Sequence, residues 1–60
     1  MAKYLLRNGY SVSTAKAGGD RTEFTTSNPE GNVISTVELG REASRDMIIG
    51  LRVATCLRRI

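Results

Sequence analysis

Three turn signals, spaced roughly ten residues apart, constrain this 60-residue chain more than any other feature it carries. The first is Asn8-Gly9 in "RNGY". Asn-Gly is the strongest short hairpin signal, because both central positions of the tight primed turn need positive φ. A two-residue turn there pairs Arg7 with Tyr10 and Leu5 with Val12. In "AGGDR", Gly18, Gly19 and Asp20 predict a three-residue loop that sets Thr14 opposite Phe24 and Val12 opposite Thr26. In "SNPEGN", Pro29 has its φ preset and Gly31 is free to turn left-handed, so Asn28 to Gly31 predicts a four-residue loop. Phe24 then meets Ser35, and Thr22 meets Val37. All three registers agree on one apolar face carrying Leu5, Val12, Phe24, Val33 and Val37, the consistency expected of an antiparallel meander. The opposite face collects Tyr4, Leu6, Ser11, Ser13, Thr25, Ile34 and Thr36, and of these Tyr4, Leu6 and Ile34 are the candidate binding residues of an outer sheet surface.

After Leu39, Gly40 interrupts the alternation and the apolar spacing becomes helical, with Glu42 and Asp46 early and Arg58 and Arg59 late, as the helix dipole favours. The expected fold is therefore α+β: a four-stranded antiparallel meander followed by one long C-terminal helix, ββββα, in a single domain over residues 1–60. At about 100° per residue the helix sorts into three stripes. Ala43, Met47, Gly50, Leu51 and Ala54 form one, suited by their mostly small side chains to lie on the sheet. Ile49, Val53, Cys56 and Ile60 form a second apolar stripe, and Arg41, Arg45, Arg52 and Arg59 a third.

A chain of this size buries only about 60% of the surface its unfolded form exposes, so disulfides, a metal or association usually supplement the core. With one cysteine and no histidine, an internal disulfide and the ordinary structural zinc sites are excluded. Association is the aid that remains. One small sheet face cannot cover two apolar stripes of the same helix, so Ile49, Val53, Cys56 and Ile60 are expected to form a dimer interface with a second copy. The apolar run in "MAKYLLRNGY" is too short for a signal peptide, and no segment approaches the ~18 apolar residues that span a bilayer. The expectation is a cytoplasmic protein with a reduced thiol and no membrane partner.

The residues offer little for catalysis. Cys56 lies among Val53, Leu57 and Ile60 with no histidine to serve as base, which reads as a small packing residue. Glu38 and Glu42 straddle the strand-to-helix junction, and nothing brings them together as an acid/base pair. Gly18-Gly19 lacks the Gly-Lys-Ser/Thr ending of a phosphate loop. No enzyme, cofactor or metal is expected.

Charge is the remaining functional signal. The net charge is +3 and the isoelectric point about 9.6, which makes acidic partners more favourable without choosing between nucleic acid and protein. Arg41, Arg45, Arg52 and Arg59 along one helix face are spaced to meet successive phosphates or an acidic protein surface. With a single helix there is no helix-turn-helix.

The third hairpin and the helix carry a resemblance. "EGNVIST", followed by a helix containing "IIGLRVAT", resembles the YegP-like family of small proteins, whose repeat joins an Asn-Gly-type turn, an Ile-containing strand and a helix with a Gly-Ile-x-x-Val core. It spans residues 22–54, with Gly31, Ile34, Gly50 and Val53 at matching positions, Leu51 in place of the isoleucine and Val53 one place early. The family's aromatic residues and Lys-Ala before the turn are absent from "EFTTSNPEG". The resemblance implies a sheet-plus-helix unit that pairs with a second copy, and no activity.

Two function classes follow. One is a small non-enzymatic protein-binding module that acts as a homodimer and presents a surface to a larger protein partner. A phage or mobile element could use such a chain as an inhibitor of a host complex. The other is a sequence-tolerant nucleic-acid binder using the arginine stripe.

Overall fold

The computed structural model describes residues 2–55, with the side chains of Ala54 and Thr55 outside that description. Its architecture starts from two loops of the same design. In the first, the Leu6 N–H donates to the Tyr10 carbonyl at 2.8 Å and the Gly9 N–H to the Leu6 carbonyl at 3.2 Å. In the second, the Asn28 N–H donates to the Asn32 carbonyl at 2.9 Å and the Gly31 N–H to the Asn28 carbonyl at 2.9 Å. Both are three-residue loops closed by a turn, with a glycine in last place at φ 87° and 91°. That is the conformation in which a left-handed residue follows a turn to form a bulge, and glycine occupies it without a Cβ penalty.

These loops join strands β1 (Ala2–Leu5), β2 (Ser11–Gly18), β3 (Arg21–Ser27) and β4 (Val33–Leu39), which lie in the order β1-β2-β3-β4 in one antiparallel sheet. Helix α1 (Arg41–Thr55) follows. The meander with one C-terminal helix is thus as the turn signals imply.

Registers differ in two hairpins. The first loop has three residues where two are expected, so Val12 pairs with Tyr4 and Ser11 with Leu5. Because side chains alternate, a shift of one place turns β1 over. Tyr4 therefore does not belong to the outer surface: it is 4% exposed and lies in the core with Val12, Phe24 and Leu51. Leu6 packs on the same cluster, together with Ala2, Leu39 and Ile48. The β2–β3 register has Val12 opposite Thr26 and Thr14 opposite Phe24, as expected, with a bulge between Lys16 and Gly18 leaving Gly19-Asp20 as the turn. In β3–β4, Phe24 meets Val37 instead of Ser35, and Thr22 meets Leu39 instead of Val37. From Ser35 onward that shift is two places and moves partners without moving faces, but at Val33 it is one place, so Val33 lies opposite Ser27 on the outer face and not on the expected apolar face. A bulge at Thr26/Ser27 contributes to it.

The helix packs on β1 and β3. Its inward residues are Ser44, 5% exposed, and Leu51, 8% exposed, with Ile48 beside them. The expected sheet-facing stripe is therefore displaced by about a quarter turn. Ala43 and Gly50 are exposed, Met47 is 40% exposed, and of the described members only Leu51 keeps its assigned place, the Ala54 side chain lying outside the description. The cause lies at the junction. Gly40 alone links β4 to α1, the Ser44 N–H donates to the Gly40 carbonyl at 2.8 Å, and the Ser44 hydroxyl donates to the Leu39 carbonyl at 3.0 Å. These two bonds turn Ser44 toward the sheet, and its small side chain admits the close approach.

A helix about 10 Å across spans only two or three strands set ~4.8 Å apart. Lying over β1 to β3, α1 leaves the fourth strand out: six of the seven residues of β4 are exposed, and Leu39 alone is partly covered.

Candidate binding surfaces

The exposed apolar residues are the candidate contact surfaces. Among the described residues the large exposed hydrophobics are Val33 at 60%, Ile34 at 53%, Val37 at 44%, Met47 at 40%, Ile49 at 53% and Val53 at 75%. They fall into two groups, one on strand β4 and one on the helix.

On the helix, Ile49 and Val53 point nearly opposite to the inward line of Ser44, Ile48 and Leu51, at about 100° per residue. Glu42 and Asp46 continue that outward line toward the helix start, so it passes from acidic to apolar along its length. Cys56 and Ile60, the other members of the expected dimer interface, lie outside the described residues. Arg41, Arg45 and Arg52 are exposed and share one flank of the helix, beside the sheet-facing line rather than opposite it as the expected stripes would have it. Arg52 is engaged within the chain, and Arg59 lies outside the described residues.

On the sheet, the turn at the start of β4 is held by Asn28, whose side-chain Oδ1 accepts from the backbone N–H of Glu30 at 3.0 Å and of Asn32 at 2.9 Å. An Asn side chain that satisfies its own turn in this way replaces backbone partners the loop lacks. Pro29 of this loop also reaches the first one: a Cβ on Gly9 would lie 3.2 Å from the Pro29 ring. Ile34 stands on the outer face and Val37 on the helix side, as expected, whereas Val33, opposite Ser27 beyond the bulge, lies on the outer face instead of the helix side. At the far end, Glu38 faces Glu23 across the ladder. Their repulsion is offset by Arg21, whose Nε donates to Glu38 Oε1 at 2.8 Å. Both partners are about half exposed, so the pair contributes at most about 1 kcal/mol.

No group of three or more histidine, cysteine, aspartate or glutamate side chains is placed to hold a metal ion among the described residues. No described helix is long and apolar enough to cross a membrane. No family model, curated protein or solved structure matches this chain.

Proposed function

We propose that this protein is a non-enzymatic protein-binding module that works as a homodimer and offers its remaining apolar surface to a larger protein. One observation carries the reading: more large hydrophobic side chains stand exposed than lie in the core cluster, six against four among the described residues. Scattered exposed hydrophobics are ordinary, but grouped ones rimmed by polar residues mark places of association. A chain too small to bury them gains by covering them with a partner. Occupying a face of a larger complex is also how such a module would act as an inhibitor, including one carried by a phage or mobile element.

Arg41, Arg45 and Arg52 on one flank support nucleic acid as a second reading. Two acids, Glu42 and Asp46, on the same helix oppose it, since a phosphate backbone would be repelled by both.

Sedimentation equilibrium of the full chain at micromolar concentration tests the first reading. The expected result is a monomer–dimer equilibrium, and a folded species of strictly monomer mass across that range would overturn it.

A further inference from the structure

Strand β2 outruns its neighbour. The ladder with β1 ends at the Ala2–Thr14 pair, while β2 continues to Gly18, so beyond Thr14 no described residue of β1 lies beside it. The helix does not close the gap. What remains is an open cleft of about 370 Å³ lined by Ala2, Thr14, Ala15, Lys16, Thr22 and, on the helix, Ile48. No acidic and no aromatic side chain lines it, and Lys16 is its one charge. Ligand sites run from roughly 300 to 1,000 Å³, so this one has room for a single large side chain and the backbone that carries it.

The charges around the cleft follow from helix geometry. Residues three and four apart are neighbours on a helix surface, so Arg45 and Arg52 flank Ile48, with Arg41 one turn before Arg45. Arg52 is engaged within the chain. Arg45 and Lys16 are exposed, and neither is in an ion pair among the described residues. The acids lie elsewhere. Glu23 and Glu38 pair with each other on the far face of the sheet, Asp20 is in the turn beyond Gly18, and Glu42 and Asp46 follow the outward line of the helix. An apolar cleft between unpaired cations complements an apolar group carried between carboxylates.

Resting on the protein-binding reading, we propose that this cleft is where the larger partner docks, through an acidic segment that seats one large aliphatic side chain against Ile48 and Ala2 while Lys16 and Arg45 hold its carboxylates. The lining favours a peptide over nucleic acid, because a base stacks on an aromatic or guanidinium plane and a phosphate backbone gains nothing from an aliphatic wall. The open side favours a segment of a macromolecule over a small acid. Most of a small ligand would stay in water there, whereas a segment adds contacts beyond the cleft. Ile49 and Val53 point away from the sheet and stay free for the second copy.

The probe is a short synthetic peptide, capped at both ends, with one leucine between runs of aspartate, titrated into the isotope-labelled full chain and followed by its amide chemical shifts. Saturable shifts should centre on Ala2, Thr14, Lys16, Thr22 and Ile48. Exchanging the peptide's leucine for alanine should weaken binding about fivefold, the loss of a partly buried branched side chain. Exchanging its aspartates for asparagine should weaken it by at least about tenfold. On the protein, Lys16→Glu and Arg45→Glu should each weaken binding about tenfold, whereas Arg7→Glu, the same charge change in the first loop, should weaken it by no more than about twofold. All three positions are exposed, and the spectra of the free variants check that they fold. Should a charge reversal unfold the chain, Lys16→Gln and Arg45→Gln replace it, with losses of about threefold each. Shifts that avoid those five residues, an affinity indifferent to the leucine, or equal losses from Lys16→Glu and Arg7→Glu would overturn the cleft. So would a short DNA duplex that shifts the same amides at lower concentration than the peptide in physiological salt. A wild type that dimerises yet ignores the peptide removes the cleft and leaves the homodimer, and a monomer that binds the peptide does the reverse.

Discussion

Tyr4 and Leu5 are chain neighbours that exchange roles when a hairpin loop gains one residue. A two-residue Asn8-Gly9 turn would bury Leu5. The loop instead closes between Leu6 and Tyr10, with Gly9 alone taking the final left-handed place, and Tyr4 goes inside. The larger ring, packed with Val12, Phe24 and Leu51, removes more apolar surface from water than a leucine would. The consequence is measurable by urea denaturation of two truncations. Tyr4→Ala should cost about 3 kcal/mol or more, the range for emptying an aromatic site in a core. Leu5→Ala, on the partly covered face, should cost about 1 kcal/mol. The reverse order would restore the two-residue turn. Composition carries no hint of this choice, since Asn-Gly followed by an alternating strand is compatible with either loop.

For the elements, the helix shows where local pattern stops being informative. Its apolar residues cover so much of its circumference that spacing alone allows several inward lines, and the one-residue link at Gly40 with the two Ser44 bonds selects among them. Ser44 itself could have been suspected: a small hydroxyl residue early in a helix that follows a strand directly is placed to bond the strand's last carbonyls. Gly50 gives a separate check on the phase. It is exposed in the helix interior, and a Cβ there would meet nothing within 4 Å. Gly50→Ala should therefore stabilise the protein by about 0.5–1 kcal/mol, the helix-interior cost of glycine relative to alanine. Destabilisation in thermal or chemical melts would mean that another chain approaches Gly50 closely, which would place a contact on that face of the helix.

For the whole molecule, one helix over four strands leaves an asymmetric body, covered at β1 and open at β4, with arginines on a helix flank. Retention on heparin as salt is raised separates the functional readings. If Arg41, Arg45, Arg52 and Arg59 bind phosphates, the fourfold Arg→Gln variant should lower the slope of log affinity against log salt by roughly 0.9 for each duplex DNA phosphate that an arginine neutralises. Under the protein-binding reading wild type and variant should both elute at low salt, with dimerisation unchanged. The number and order of the elements, the β2–β3 register and the faces of β3 and of β4 beyond Val33 are legible in the sequence, because turn chemistry and apolar periodicity are local properties of neighbouring side chains. The loop lengths that turned β1 over, the rotation of the helix and the exposure of β4 come only from the folded chain. A loop closed by backbone hydrogen bonds adds or removes a residue at little cost to its composition, yet each such step inverts a strand. A helix about 10 Å wide covers only two or three strands whatever their sequence, so which strand stays open depends on where the short link at Gly40 lets the helix lie.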